Sequence, residues 1–112
     1  MTEIPVVDIE SLKQQFHLAM LDLYRKIVDE TKSKYKPTEF LSLVGSKGGL
    51  ATVQDLVNAS TESYGYTRLY ELNRLDLTVE AQILKDKKWY PLFTDDERKR
   101  ARERLEKYRF KI

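Results

Sequence analysis

The chain contains 112 residues, carries a formal net charge of +2 at pH 7 and has no cysteine. This length predicts a single domain over residues 1–112, and the missing cysteine excludes a disulfide framework, a thiolate metal site and a cysteine nucleophile. No apolar run approaches the roughly 20 residues that a membrane-spanning helix needs, and we recognise no signal peptide.

The N-terminal part of the chain predicts an extended arm followed by a long helix. Pro5 and the two valines after it favour extended backbone over residues 1–7. Asp8 is a good N-cap for a helix that runs from Ile9 to about Lys34. Apolar residues recur along one face of this helix at spacings of three and four, namely at Ile9, Leu12, Phe16, Met20, Leu23 and Ile27.

A second apolar line lies beside the first on this helix and consists of Leu18, Leu21, Tyr24 and Val28. An apolar surface this wide predicts burial on two sides. Either other helices flank the long helix, or the second line forms an interaction surface, for example in a homodimer.

The middle of the chain predicts three further helices separated by turns. Pro37 ends the long helix and can begin a short second one through Phe40, Leu41, Leu43 and Val44. Glycines at 45, 48 and 49 then interrupt the chain, and a third helix follows from Leu50 to about Ala59. Residues 60–66 are expected to form a loop, and a fourth helix begins near Thr67.

The C-terminal part predicts a helix through Val79 and Leu84, a turn over residues 86–93 and a last helix that starts at Thr94. Thr94 and Glu97 form the capping-box pattern, which is the clearest helix start in the chain. The alternating residues 75–78 could be a strand fragment or a helix boundary, and we favour the boundary because Asp76 and Thr78 are both plausible caps. We therefore expect an all-α fold, a small irregular bundle of about five helices with a long N-terminal helix.

The residues that could carry chemistry do not form a recognised catalytic or metal-binding pattern. The single histidine, His17, lacks suitable partners at helical spacing and is expected to be a partly exposed helix residue. The stretch GSKGGLAT lacks the lysine that a phosphate-binding loop needs after its last glycine. Three carboxylates, Glu71, Asp76 and Glu80, have no established metal-site spacing, so a metal-dependent hydrolase is only a remote alternative. We expect no enzyme activity, catalytic residue, metal or cofactor.

The basic last helix is the feature that favours nucleic acid. Arg98, Arg102 and Arg109 lie along one of its faces, and Lys47 is a further candidate for an anion or nucleic-acid contact. Two acidic residues, at 103 and 106, interrupt the basic field. Tyr64 and Tyr66, on either side of a glycine, would be either stacking platforms for bases or lids on the core.

From Lys47 to the C-terminus the chain resembles a group of short, uncharacterised prokaryotic proteins. The resemblance is carried by KGGLATVQDLV, GYTRLYELNRLDLTVEAQIL and WYPLFTDDERKRARERLEKY. It implies a prokaryotic, cytoplasmic setting and a structural unit in which Leu75, Leu77, Val79 and Trp89 pack together. It supplies no reaction and no site residue, and the long first helix is less typical of the group.

Two functions follow as hypotheses. The favoured one is a small non-enzymatic module that acts through protein–protein contacts, including self-association through Leu18, Leu21, Tyr24 and Val28. The alternative is a nucleic-acid-binding accessory protein that uses the basic last helix. We expect neither a membrane association nor a small-molecule cofactor.

Overall fold

The computed structural model describes residues 8–111, so the extended arm predicted over residues 1–7 lies outside the described part of the chain. The described residues form six α-helices and two 3-10 helices and contain no strand, which confirms the all-α class. The expected number of about five helices was too low. The α-helices are α1 (Ile9–Glu30), α2 (Thr38–Lys47), α3 (Gly49–Asn58), α4 (Tyr64–Glu71), α5 (Val79–Lys85) and α6 (Asp95–Lys107), and the 3-10 helices are Leu75–Leu77 and Lys87–Leu92.

The long helix α1 begins as predicted but ends earlier. The side chain of Asp8 accepts a hydrogen bond from the N–H of Ser11 at 3.1 Å and so caps its first turn. Its buried face consists of five residues of the predicted stripe, namely Leu12, Phe16, Met20, Leu23 and Ile27.

The end of α1 at Glu30, rather than at about Lys34, has a specific backbone cause. Lys32 has a positive φ of 53°, and its N–H reaches the carbonyl of Asp29 while the N–H of Ser33 reaches that of Val28. These two bonds define a Schellman motif, which usually has glycine at the position that Lys32 occupies. The expected glycine signal was therefore absent from the sequence.

The core is centred on Phe16, which has no exposed surface. Its ring meets those of Trp89 and Phe93 edge-to-face, with centroids 5.1 Å and 5.4 Å apart. Such pairs add about 0.5–1.5 kcal/mol to the stabilisation from burial. Leu75, Leu77 and Trp89 are buried, and Val79 packs against the same cluster, as the resemblance implied.

The glycine-rich stretch serves the contact between α1 and α3. A Cβ atom on Gly49 would lie 2.8 Å from the Cα of His17, so only glycine allows this approach. The Nδ1 atom of His17 accepts the N–H of Gly49 at 3.0 Å and caps the start of α3. Gly48 has a φ of +93°. Gly45 was predicted to interrupt the chain, but it lies inside α2.

The C-terminal half contains one confirmed helix start and one that was misplaced. The capping box of α6 is present, with the Thr94 N–H donating to Glu97 at 2.9 Å and the Glu97 N–H donating to Thr94 at 3.1 Å. Helix α4, however, begins at Tyr64 instead of near Thr67, because the hydroxyl of Ser63 accepts the N–H of Tyr66 and caps it. The predicted turn over residues 86–93 is mostly the 3-10 helix Lys87–Leu92.

Candidate functional site

An apolar cleft of about 350 Å³ opens between the C-terminal half of α1, the start of α2, the start of α4 and the first residues of α5. We call it the tyrosine cleft, because Tyr35 and Tyr64 stand on one side of it. Aliphatic walls come from four different segments of the chain, at Ile27 of α1, Leu43 of α2, Leu69 of α4 and Leu77 of the 3-10 helix before α5. A concave, mainly apolar surface with a few polar groups is the usual form of a binding site.

The connector between α1 and α2 forms one wall of the cleft and is held by hydrogen bonds. The hydroxyl of Thr31 donates to the carbonyl of Ile27 at 2.6 Å and accepts the N–H of Tyr35 at 3.3 Å. Arg68 of α4 donates to the carbonyl of Lys34 at 3.2 Å and ties the connector to α4. Three lysines of the connector are exposed, namely Lys32, Lys34 and Lys36, and Lys36 lines the cleft.

The two tyrosines meet edge-to-face, with ring centroids 6.2 Å apart. Tyr35 is half-buried, and its burial raises the pKa of the phenol, with contributions from the nearby Tyr64 and Glu39. Tyr64 is 77% exposed, which is the highest exposure among the large apolar and aromatic side chains of residues 8–111. A Cβ atom on Gly65 would lie 2.7 Å from the Tyr35 hydroxyl, so the glycine leaves room for this pair.

Beneath the cleft lies a buried ion pair between Glu80 of α5 and Arg104 of α6. Their oxygen and nitrogen atoms are 3.0 Å apart, and both side chains are almost fully covered. Burial raises the pKa of Glu80, an effect that its backbone hydrogen bond and Arg104 partly offset. Arg104 also donates to the carbonyls of Leu56 at 2.9 Å and Ala59 at 2.5 Å, so the guanidinium joins α3, α5 and α6.

Tyr66 completes this buried network. Its hydroxyl donates to the Arg104 carbonyl at 2.8 Å, and burial raises the pKa of the phenol. Tyr66 is only 2% exposed. Tyr66 is therefore a core residue and cannot be a stacking platform for bases, which was one of the two roles predicted for it. Tyr64, two residues earlier, is exposed and points out of the fold. No buried side-chain nitrogen or oxygen within residues 8–111 lacks a hydrogen-bond partner, so the floor of the cleft contains no free acid or base.

The second apolar line of α1 is only partly exposed. Leu18 is 56% exposed, whereas Leu21, Tyr24 and Val28 are half-buried. Leu18 and Ile27 are separated by about 180° around the helix axis, so Leu18 lies on the side of α1 opposite the cleft. The structure therefore places this predicted surface and the tyrosine cleft on different faces.

The predicted basic contacts are placed in different ways. Arg98 donates to the carbonyls of Tyr90 at 2.9 Å and Phe93 at 2.5 Å, and so supports the segment before α6. Lys47 forms an ion pair with Asp55. Arg102 and Arg109 are exposed, and neither side chain forms an ion pair or hydrogen bond with another described residue.

The three carboxylates of the remote hydrolase hypothesis each face a different arginine. Glu71 lies 3.8 Å from Arg68, Asp76 lies 2.9 Å from Arg74, and Glu80 pairs with Arg104 as described. The hydrogen bond from Arg74 holds the pKa of Asp76 below its usual range. Within the described part of the chain, no group of three or more histidine, aspartate or glutamate side chains is arranged to hold a metal ion.

The sequence prediction missed the tyrosine cleft. Its lining residues come from α1, α2, α4 and the segment around Leu77, and no local pattern predicts that these segments enclose a cleft. The one local signal is KSKYKP over residues 32–37, in which lysines alternate with Ser33 and Tyr35 before a proline. This pattern is compatible with a connector that turns Tyr35 inward and its lysines outward.

Comparisons with protein-family models, with curated proteins and with solved structures gave no match for this chain. Separately, none of the helices within residues 8–111 combines the length and the apolar character needed to cross a membrane.

Proposed function

We propose that this protein is a non-enzymatic interaction module that binds an apolar segment of a protein partner in the tyrosine cleft. The observation that carries the proposal is an open apolar cleft with exposed apolar side chains at its mouth, Tyr64 at 77% and Leu43 at 36%. Exposed aromatic side chains beside a pocket are frequent anchors in protein interfaces. A prokaryotic, cytoplasmic setting is part of the proposal.

The chemistry of the cleft supports binding rather than catalysis. Its one buried acid, Glu80, is held by Arg104, and a general base must instead have a lone pair free to reach its substrate. The walls around it are mainly aliphatic and aromatic. A volume near the lower end of the roughly 300–1,000 Å³ typical of ligand sites suits one or two large apolar side chains.

The cleft is also a better candidate than the exposed face of α1. Leu18 stands alone as an exposed apolar residue on that face, and single exposed apolar residues are common on protein surfaces. In the cleft, by contrast, apolar groups from four segments converge on one cavity. The self-association surface is therefore placed at the cleft in this proposal, instead of at Leu18, Leu21, Tyr24 and Val28.

A peptide selection tests the proposal. The protein, immobilised at low density, is presented with a phage-displayed random peptide library, in parallel with the variants Tyr64→Ser and Tyr70→Ser. Tyr70 is also an exposed tyrosine on α4, at 49%, but lies outside the cleft and so provides the matched control. We expect peptides that the wild type and Tyr70→Ser retain and that Tyr64→Ser does not. If no peptide is enriched, or if enrichment is the same with all three proteins, the proposal is wrong.

Nucleic-acid binding through α6 and the residues after it is the second candidate. It is supported by Arg102 and Arg109, which are exposed and form no ion pair or hydrogen bond with the side chain of another described residue. Other basic residues of α6 are paired within the fold, since Lys99 lies 3.9 Å from Glu103 and Lys107 lies 3.5 Å from Glu62. The double variant Arg102→Glu/Arg109→Glu should then reduce salt-dependent binding to nucleic acid. Absence of a gel shift with duplex DNA, single strands and RNA at low salt would remove this candidate.

A further inference from the structure

We propose that the tyrosine cleft receives residues 3–8 of a second copy of this chain, so that the protein associates with itself by exchange of its N-terminal segments. The inference rests on the proposed function, because it names the occupant of the same cleft. It is carried by three observations: the composition of residues 3–8, the charges of the connector that forms one wall of the cleft, and the distance along α1 between residues 3–8 and the cleft.

Residues 3–8, with the sequence EIPVVD, combine apolar and acidic side chains. Ile4 and Val6 are aliphatic groups of the kind that an apolar cleft accepts. Pro5 has no backbone N–H and is incompatible with a helix interior, so it favours an extended segment when bound. Glu3 and Asp8 place a negative charge at each end of the apolar part.

The connector between α1 and α2, which forms one wall of the cleft, has the complementary charge. Lys36 lines the cleft, and Lys32 and Lys34 are exposed in the same connector. None of the three forms an ion pair with another described residue. The carboxylates that line the cleft are Glu39, at its rim, and Glu80, which is neutralised by Arg104. The connector thus carries three lysines without an ion-pair partner among the described residues, against one exposed glutamate in the lining, which favours an acidic occupant over a basic one.

The dimensions of α1 require that the segment come from another copy. Leu23, the first α1 residue that lines the cleft, lies about four helical turns beyond Asp8, roughly 22 Å along the axis. The chain from Ile4 to Asp8 spans at most about 14 Å when fully extended. Ile4 therefore cannot reach the cleft of its own chain, whereas the cleft of a neighbouring molecule is accessible to it.

The exchange has a structural consequence. If each copy places its segment in the cleft of the other, the two contacts are equivalent by a two-fold axis and the assembly closes as a dimer. Because acidic and basic groups meet at the rim in this arrangement, association should weaken as salt screens them. A homodimer of this kind does not use Leu18, which faces away from the cleft.

Sedimentation velocity on the full chain at increasing protein concentration tests the inference. The arm variant carries Ile4→Asp and Val6→Asp, and the cleft variant carries Leu43→Ser and Tyr64→Ser. The arm substitutions lie outside the described fold, and both cleft residues are exposed, so circular dichroism should report an unchanged helix content. We expect concentration-dependent dimers for the wild type and for the control Leu18→Ser, and an association at least about tenfold weaker for the arm and cleft variants.

A mixing experiment identifies the contact itself. The arm variant retains an intact cleft and the cleft variant retains an intact arm, so a mixture of the two should form a heterodimer although each alone is largely monomeric. Raising the NaCl concentration should increase the dissociation constant of the wild-type dimer severalfold.

The inference is overturned if the wild type stays monomeric at every concentration, if the arm variant still dimerises like the wild type, or if Leu18→Ser abolishes association. A monomeric wild type that still selects peptides through Tyr64 would keep the proposed function and assign the cleft to another protein. If neither association nor peptide selection is seen, both proposals fail.

Discussion

Glu80 and Arg104 lie 3.0 Å apart beneath the tyrosine cleft and are both almost fully removed from solvent. Glu80 belongs to α5, and Arg104 belongs to α6 and donates to carbonyls at the end of α3. One guanidinium therefore links three helices below the surface that we propose to bind a partner. The pair therefore fixes the positions of α3, α5 and α6 beneath the cleft.

Removing one member of this pair should cost more stability than removing both. Glu80→Gln leaves the Arg104 charge buried without its counter-ion, and such changes typically destabilise a protein by about 3–5 kcal/mol. The double variant Glu80→Leu/Arg104→Met removes both charges and should recover much of that loss. Urea denaturation of the wild type and the two variants measures the difference. Equal stability of Glu80→Gln and the wild type would show that the pair does not hold the three helices together.

Two glycines should respond in opposite directions to the same substitution. Gly49→Ala places a Cβ atom 2.8 Å from the Cα of His17 and should destabilise the contact between α1 and α3 by about 1–3 kcal/mol. Gly45→Ala lies inside α2, where a Cβ atom meets nothing within 4 Å, and should stabilise the protein by about 0.5–1 kcal/mol. Thermal melts of both variants test the packing of α1 on α3. A stable Gly49→Ala protein would show that the helices are further apart than described.

The ion pair between Asp76 and Arg74 should make part of the stability depend on pH. The hydrogen bond from Arg74 lowers the pKa of Asp76 in the folded state, so its contribution is complete above the unfolded pKa and is lost as the pH falls through the folded pKa. Asp76→Asn should therefore cost about 0.5–1 kcal/mol at pH 7, since the pair is partly exposed, and progressively less as the pH falls below the ordinary aspartate pKa of about 3.9. Denaturation of both proteins along a series of falling pH provides the measurement. If the difference in stability between the two proteins stays constant over the pH series, the hydrogen bond from Arg74 does not lower the pKa of Asp76.

Glycine should be favoured at the left-handed position that ends α1. Lys32 has a φ of +53°, which an L-residue with a side chain adopts at a cost of about 1 kcal/mol. Lys32→Gly should raise the stability by about 0.5–1 kcal/mol in a thermal or urea melt. Lys34→Gly removes the same charge from the same connector at a position without a positive φ, and should give no gain. Equal effects of the two substitutions would place the end of α1 elsewhere.

The elements that the sequence predicted correctly are those specified by neighbouring residues. The stripe of Leu12, Phe16 and Met20 follows helical spacing, and each is buried on α1. The capping box at Thr94 and Glu97 involves residues three apart, and it is present as predicted. Asp8 likewise caps the first turn of α1.

The errors arose where a residue departs from the usual preference for its position. Lys32 ends α1 where glycine would be expected, and Ser63 starts α4 ahead of a glycine that helices usually avoid. Gly45 was taken for a break but is accommodated within α2. Local hydrogen bonds decide the ends at Lys32 and Ser63, whereas Gly45 shows that one glycine costs a helix too little to break it.

The candidate site could not be predicted, because its parts come together only in the folded chain. The walls at Ile27, Leu43 and Leu77 belong to three separate segments, and Glu80 meets Arg104 across two helices. Tyr66 and its neighbour Tyr64 have similar sequence surroundings, yet only Tyr64 remains exposed. No pattern within one helix distinguishes these outcomes.

The central claim is that the tyrosine cleft is the binding surface of this protein, and one titration tests it most directly. A peptide obtained by selection on the wild type is titrated calorimetrically into the wild type, Tyr64→Ser and Tyr70→Ser. The account predicts that Tyr64→Ser weakens binding by about tenfold or more, as expected for loss of an aromatic anchor, while Tyr70→Ser binds like the wild type. Equal affinities of all three proteins, or a larger loss with Tyr70→Ser, would contradict it.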